Sequence, residues 1–331
     1  MKIGLVDVDG HAKKKKWGAT IYPNLALMKL SAWHKRKGDT VEWYDVFADR
    51  YDIVYQSKVF SFTPDYDLVI TNADKVVKGG TGYAIHGAGG EHYRQEDDHA
   101  LPSPIEHIMP DYSIYGITDT AYGFLTRGCP RGCQFCIVGK KEGLCSRKVA
   151  DLSEFWTGQK NIVLNDPNIL ACRQWEDCLT QLEESNATVD FNQGLDARVL
   201  TVEKCEALKR IKTKEIHFAW DRYEDKDKVL PKLRMYAEVT GQKPTSHTNI
   251  VYVLVNHTST IEQDLERIYT LRDLGYWAYV MVYDKAHAKR VYRDIERWCN
   301  NRFIFPTCPR FEDYGKKVEK VNERQLSLFD L

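Results

Sequence analysis

The chain has 331 residues, 43% of them hydrophobic, which is enough to bury a core in one large domain or two ordinary ones and argues against a disordered protein. Its 47 basic and 47 acidic residues cancel, so no global charge attracts it to nucleic acid or an anionic membrane. No uninterrupted apolar stretch is long enough for a membrane span or a signal sequence, so we expect a cytoplasmic protein without a membrane partner. In a reducing compartment, nine cysteines favour metal-binding or catalytic thiols over disulfides.

Residues 1 to 85 predict a small α/β unit of the Rossmann-like, nucleotide-binding type. Its strand candidates are "KIGLVDV", followed by a loop, then "TVEWYDV", "DIVYQSKVF" and "KVVKGG". Between the first two, "YPNLALMKLSAWHKRKGD" has apolar residues at helical spacing, and Gly38 ends the helix. The basic run of residues 13 to 16, followed by Trp17, favours a solvated surface over a contact with a phosphate backbone. Residues 86 to 115 are polar and rich in glycine and proline, which predicts a linker.

Residues 116 to 300 alternate short apolar runs with helical segments. The predicted strands are "TAYGFLT", "NIVLND", "VDFNQG", "EIHFAWD", "IVYVLVN" and "WAYVMVYD". The predicted helices are "EDCLTQLEES", "TVEKCEALKRI", "DKVLPKLRMYAEVTG" and "IEQDLERIYTLRDLG". Six strands alternating with helices predict a parallel sheet, either open or closed into a partial (β/α)6 TIM-type barrel. Residues 301 to 331 are then a carboxyl-terminal extension and tail.

Polar residues follow five successive strands of this region. In parallel α/β folds ligands bind at the carboxyl ends of the strands. Each polar residue alone is an ordinary turn former, but together they favour a binding site. The residues at these ends are Asn165 and Asp166, Asn192 and Gln193, Trp220 and Asp221, Asn256 and His257, and Tyr283 and Asp284.

Three cysteines with the spacing C-x3-C-x2-C follow the first of these strands. Cys129, Cys133 and Cys136 lie among glycines and a proline that allow tight turns, so their thiolates can converge on one inorganic centre. A structural zinc site requires a fourth ligand, and no other cysteine supplies a C-x2-C partner. Three thiolates on a four-iron cluster leave one iron open. We therefore favour an iron-sulfur centre over zinc.

The motif, with Phe135 in an aromatic position before the last cysteine, resembles that of the radical S-adenosylmethionine (radical SAM) superfamily over residues 116 to about 300. The resemblance implies a [4Fe-4S] cluster on Cys129, Cys133 and Cys136, with the open iron binding the amino and carboxylate groups of SAM. It implies reductive cleavage of SAM to methionine and a 5'-deoxyadenosyl radical, which abstracts hydrogen from a substrate. An electron donor such as flavodoxin or ferredoxin is implied as a partner.

The resemblance also suggests which side chains contact SAM. They follow the second to fifth strands, and for each the alternative is a helix cap or turn former: Asn165, Asp166, Asn192, Gln193, Arg198, Trp220 and Asn256. Asn165 and Asp166 stand where members of the superfamily have a Gly-Gly-Glu turn. Arg198 would meet the SAM carboxylate, whereas Trp220 and Asn256 would meet the adenosine.

Residues 1 to about 83 resemble the cobalamin-binding-type domain that precedes one group of radical SAM cores. Asp9, Gly10 and His11 begin the Asp-x-His-x-x-Gly motif of the members that ligate cobalt, but Lys14 replaces its glycine. This departure favours a structural domain without cobalamin, with His11 an ordinary loop residue.

The carboxyl-terminal "QLSLF" resembles the peptide by which many bacterial proteins bind the DNA sliding clamp. Three apolar side chains of this segment could anchor in a groove, and the alternative is a tail that folds back on the core. The segment consists of Gln325, Leu326, Ser327, Leu328 and Phe329. Clamp binding would favour DNA as the substrate, and a nucleic-acid partner is left open.

Two functions remain. The first is a radical SAM enzyme with an unassigned substrate and unassigned catalytic residues, whose chemistry could be methylation, methylthiolation, rearrangement, oxidation or carbon-carbon bond formation. The second is a binding module, stabilised by zinc or an inert iron-sulfur cluster, that acts on nucleic acid or a protein.

Overall fold

The computed structural model describes residues 1–14, 22–86, 92–241 and 248–314. It has an α/β fold with parallel sheets, as the sequence predicts. Its contacts divide the chain into two compact units, which are described in turn. Unit 1 contains Met1–Gln193 and Arg210–Thr213, and unit 2 contains Gly194–Lys209 and Lys214–Leu331. The domain boundaries at residues 85, 115 and 300 remain predictions.

Unit 1 begins with a four-stranded parallel sheet in the order β2-β1-β3-β4. Its strands are β1 (Lys2–Asp7), β2 (Thr40–Trp43), β3 (Tyr51–Ser57) and β4 (Ala73–Gly79). Ile3 and Leu5 of β1 pack in one buried cluster with Leu27 and Leu30 of helix α2 (Leu25–Arg36). The predicted helix is thus confirmed, and it places an apolar face against the central strand.

The residues after β1 form helix α1 (Val8–Lys14), so the predicted loop is wrong. Asp7 accepts a hydrogen bond from the Gly10 backbone N–H at 2.9 Å, as an N-cap does. Asp9 is buried and accepts from the Val59 N–H at 2.6 Å. These contacts fix the helix start, and they place His11 in a helix rather than a loop.

The predicted linker contains ordered structure in the described residues. Helix α3 (Thr81–Ala84) leads into a short antiparallel pair, β5 (Ile85–His86) with β6 (His92–Tyr93). Further on, helix α4 (Ser103–Glu106) places Ile105 in the same buried cluster as Ile3 and Leu5 of β1. The end of the segment is therefore packed on unit 1, because its few apolar residues complete that core.

Unit 1 continues with a second parallel sheet in the order β11-β10-β7. Its strands alternate half-buried and buried residues. They are β7 (Thr120–Gly123), β10 (Asn161–Leu164) and β11 (Thr188–Phe191), with helix α6 (Trp175–Glu184) between the last two. A two-stranded antiparallel ribbon, β8 (Thr126–Arg127) with β9 (Arg147–Lys148), follows β7 and encloses the short helix α5 (Val138–Lys141).

Unit 2 contains a parallel sheet in the order β12-β13-β14. Its central strand is almost entirely buried, as expected for a parallel strand covered on both faces. The strands are β12 (Ile216–Ala219), β13 (Asn249–Val255) and β14 (Trp277–Val282). The helices are α7 (Val202–Arg210), α8 (Lys226–Thr240), α9 (Ile261–Asp273), α10 (Arg290–Asn300) and α11 (Ile304–Thr307). The six strands and four helices predicted from residue 116 onward are all confirmed.

Within the described ranges, no helix combines the length and apolar character that crossing a bilayer requires. The basic run beyond Lys14, Trp17 and the "QLSLF" segment lie outside the described residues.

Candidate functional site

The three cysteines lie in an excursion that leaves and rejoins the β8–β9 ribbon. Arg127 faces Arg147 in the ribbon, and residues 128 to 146 lie between them. The base of this excursion, called here the cysteine loop, is closed by two backbone contacts. Gly128 N–H donates to Glu142 Oε2 at 2.9 Å, and Cys129 N–H donates to the Gly143 carbonyl at 3.2 Å.

Gly128 is required at the start of the cysteine loop. Its φ of +86° lies in the left-handed region, and a Cβ atom there would lie 2.2 Å from the Cys145 carbonyl oxygen. Any side chain would therefore push apart the two ends of the loop. Gly132, with a φ of +56°, allows a second tight turn between Cys129 and Cys133.

A network of ion pairs holds Arg127 beside the first cysteine. Its guanidinium donates to Glu142 at 3.0 Å and to Glu106 at 2.8 Å. Lys29 Nζ lies 3.1 Å from Glu106 on the other side. Burial alone would raise the pKa of Glu106, but Lys29 and Arg127 outweigh it and lower that pKa below its ordinary value. Glu106 therefore stays ionised and continues to anchor Arg127.

Asp166 fixes the chain that leads into the loop. It follows β10, is buried, and accepts from Leu125 N–H at 3.1 Å, Thr126 N–H at 2.5 Å and Thr126 Oγ1 at 2.7 Å. Burial raises its pKa to about 6, and the hydrogen bonds offset part of that rise. A side chain predicted to contact SAM thus has a structural role one step behind the loop.

The structure places all three predicted metal ligands in one half-buried loop. Cys129 Sγ accepts a hydrogen bond from Asn168 Nδ2 at 3.4 Å, and Cys136 N–H donates to the Cys133 carbonyl at 3.0 Å. Phe135 is half-buried in the same turn. Among the described residues, no three His, Cys, Asp or Glu side chains are arranged so that they could hold a metal ion. All nine cysteines are described, and none forms a disulfide.

The donor set fits an iron-sulfur cluster by its chemistry. Thiolates are the ligands of such clusters, and N–H groups directed at the sulfurs tune the cluster potential. Asn168 is positioned for the second role at Cys129. Because the three sulfurs do not form a ligand set in this structure, cluster binding requires the loop to draw them together.

A polar cluster lies at the carboxyl ends of β10 and β11. Asn165 Oδ1 accepts from the Tyr22 hydroxyl at 2.8 Å and from Asn192 Nδ2 at 3.1 Å. The Tyr22 ring packs edge-on against Tyr122 with centroids 5.4 Å apart. Two predicted cofactor contacts, Asn165 and Asn192, are thereby brought together, whereas Gln193 is exposed beside them.

Tyr22 is a site residue that the sequence analysis missed. It is separated from Asn165 by 143 positions and has no motif around it that could have revealed the contact. Burial raises the pKa of its hydroxyl above the ordinary value, so it remains a hydrogen-bond donor at physiological pH.

The predicted contacts in unit 2 are held by their own unit. Arg198 donates to Asp196 and to Asp225, each at 2.8 Å. Trp220 is only 1% exposed, which gives it a core position. Asn256 has a left-handed φ of +62° and donates to a backbone carbonyl at 2.9 Å. Their roles toward SAM remain predictions.

A buried arginine organises these strand ends, and the sequence analysis missed it. Arg267 is 0% exposed and donates to the carbonyls of Trp220 at 2.7 Å, Asp221 at 2.8 Å and Leu254 at 2.8 Å. It forms an ion pair with the equally buried Asp264 at 2.5 Å. Burial raises the pKa of the neighbouring Asp221 to about 6, although Arg267 and Arg198 oppose the rise.

The class of protein defined by these observations is an α/β protein with parallel sheets and a three-cysteine loop after one strand. No protein-family model matches the chain, and no curated protein matches it.

Proposed function

We propose that the chain is a radical SAM enzyme in which Cys129, Cys133 and Cys136 hold a [4Fe-4S] cluster. The observation that carries the proposal is the position of the cysteine loop. It leaves the carboxyl end of β7, its base is closed by Gly128, and buried Asp166 fixes its approach. Ligand sites of parallel α/β folds form at such strand ends. The proposal includes a partial barrel built from the six strands after residue 116, a Rossmann-like amino-terminal unit and a cytoplasmic location.

When bound, such a cluster supplies the electron that cleaves the sulfonium of SAM. The residues of the chain bind and orient. Asn168 directs an N–H toward the Cys129 sulfur, and Arg127 places a positive charge beside the loop. Asn165 and Asn192, held together at the neighbouring strand ends, offer amide donors and acceptors to a polar ligand.

We do not propose a corrinoid for the amino-terminal unit. The histidine of the incomplete motif, His11, lies 3.4 Å from Asp67 and edge-on to Tyr66. Lys14 occupies the glycine position of that motif. Both features favour a unit that serves another purpose.

The test is anaerobic reconstitution with iron and sulfide, followed by SAM and dithionite. We expect brown protein with about four irons per chain and release of 5'-deoxyadenosine. Cys133→Ala should abolish both, and Cys145→Ala, which removes an exposed thiol of the same loop, should retain both. Colourless protein that holds zinc would support the metal-stabilised binding module instead. Equal loss in the two variants would contradict the assignment of the ligands.

Two partners belong to the proposal. A flavodoxin or ferredoxin would supply the electron, and replacing dithionite with either protein should support turnover. The segment from Gln325 to Phe329 would bind the bacterial DNA sliding clamp. Removing the chain after Arg324 should abolish co-elution with the clamp but leave 5'-deoxyadenosine formation unchanged.

A further inference from the structure

The amino-terminal sheet of unit 1 contains a cavity of about 370 Å3 that the proposed radical chemistry does not use. It lies at the carboxyl ends of β1 and β2, where Asp7 and Trp43 are the last strand residues. Cavities of about 300 to 1,000 Å3 bind small molecules, so this one would hold a single small molecule. Open parallel sheets bind ligands at this edge.

Aromatic rings meet at near right angles around the cavity. Trp43 and Tyr115 have centroids 5.0 Å apart at 75°, and Tyr44 and Tyr66 have centroids 6.3 Å apart at 80°. His11 meets Tyr66 at 69°. A flat heterocycle is bound best between two parallel rings, whereas perpendicular rings form the corners of a cage. Several ring faces can then surround one rounded group.

The polar atoms of two of these rings are engaged by the protein. The Trp43 indole N–H donates to the Ile114 carbonyl at 3.0 Å, and the Tyr44 hydroxyl donates to Asn72 at 2.6 Å. These rings therefore offer the cavity π surfaces rather than hydrogen-bonding groups. A π face carries partial negative charge and attracts cations.

Asp7 adds a formal negative charge to the cavity lining. It is buried, and it is held by the Tyr115 hydroxyl at 2.8 Å and by the Gly10 N–H at 2.9 Å. No lysine or arginine occurs among the lining residues that the structure describes. A carboxylate without a lining cation disfavours phosphates and other anions.

We propose that this cavity binds a small organic cation with a methylated ammonium head, held by Trp43, Tyr44, Tyr66 and Tyr115 and neutralised by Asp7. This site is separate from the cysteine loop in its residues and its chemistry.

Isothermal titration calorimetry of the full chain at low ionic strength tests the proposal with matched ligands. Choline is the cation, and 3,3-dimethylbutan-1-ol is its neutral carbon isostere of the same shape. We expect choline to bind at least about tenfold more tightly than the isostere, because the cation-π and charge contributions are lost in the alcohol. Cobalamin and SAM are titrated as separate arms.

Variants locate the site. Tyr66→Leu keeps apolar bulk but removes a π face, and Asp7→Asn keeps an N-cap side chain but removes the charge. Each should weaken choline binding about tenfold. Phe47→Leu, at a side chain that is 93% exposed, is the matched control and should bind as the unaltered chain does. Cys133→Ala should also bind choline unchanged, so failure of the radical SAM proposal would leave this result intact.

Three outcomes would overturn the inference. The first is equal binding of choline and its isostere, which would mean that the cavity selects shape alone. The second is choline binding that Tyr66→Leu and Asp7→Asn do not affect. The third is no choline binding at millimolar concentration, including the case in which cobalamin or SAM binds in its place and is lost in the Tyr66 variant.

Discussion

Two buried charges of opposite sign organise strand ends in the two units. In unit 1, Asp166 accepts from the backbone N–H groups of Leu125 and Thr126. In unit 2, Arg267 donates to the backbone carbonyls that follow β12 and end β13. The same problem, a turn of polar backbone at the end of an apolar strand, is solved once with an anion and once with a cation.

The two solutions differ in their response to pH. Arg267 is paired with Asp264 and stays charged at any pH at which the fold persists. Burial raises the pKa of Asp166 to about 6, so its charge changes near neutrality. The approach to the cysteine loop is therefore titratable, whereas the arginine that holds the strand ends of unit 2 is not.

The largest expected effect is that of Arg267→Ala. It leaves Asp264 buried without its ion partner and three carbonyls without their donor, which should cost about 3–5 kcal/mol of unfolding free energy. Urea denaturation at pH 7 measures this. Arg290→Ala, at a side chain that is 90% exposed, should change the free energy by less than about 0.5 kcal/mol. A loss below about 1 kcal/mol for Arg267→Ala would break the comparison.

The next effect is the pH dependence that Asp166 confers. Its pKa rises on folding from 3.8 to about 6, so between these values the folded chain binds the proton more tightly than the unfolded chain. Its stabilising contribution is complete below pH 4 and is lost as pH rises through 6, by about 3 kcal/mol. Denaturation midpoints across this range should show a smaller decline in Asp166→Asn. Asp221, whose pKa is also raised to about 6, contributes in the same direction. An identical pH slope in the variant would refute the role of Asp166.

Asp166→Ala should destabilise the protein by about 2 kcal/mol at pH 7. The lost hydrogen bonds cost more than this, but removing a buried charge offsets part of the loss. The variant should also retain less iron after reconstitution and desalting, since the approach to Cys129 is loosened. Asp284→Asn is the control in unit 2. This strand-end residue has a φ of +43°, which asparagine tolerates, so stability should be unchanged. Full iron retention in Asp166→Ala would separate Asp166 from the loop.

The smallest effect is that of Tyr22→Phe, which removes the hydroxyl bound to Asn165. We expect a loss of about 1 kcal/mol. A double-mutant cycle with Asn165→Ala should give a coupling of similar size, because the two groups contact each other directly. Tyr279→Phe, at a side chain that is 42% exposed, should have no measurable effect. Additive free energies in the cycle would show that the contact contributes nothing.

The elements of the fold were predictable, whereas the charges that organise them were not. Alternation of apolar and polar residues located β7, β10 and β11 and the three strands of unit 2. Helix α1 was missed because its start depends on contacts of Asp9 with a segment 50 residues away. Arg267 was hidden because a charged residue within an amphipathic helix normally faces solvent.

The site divides in the same way. The spacing of Cys129, Cys133 and Cys136 identified the loop, since the three residues are local in sequence. Tyr22 was missed because only tertiary packing brings it to Asn165. Trp220 follows a strand as the pattern requires, but its side chain is in the core, which sequence position alone does not reveal.

The antiparallel ribbon β8–β9 makes the thiol-bearing excursion a replaceable cassette. Because Arg127 and Arg147 are paired neighbours, a two-residue Asn-Gly turn can join them without altering the register of either strand. A shortened chain of this kind should keep the surrounding scaffold, and the excised segment could be transplanted onto another hairpin.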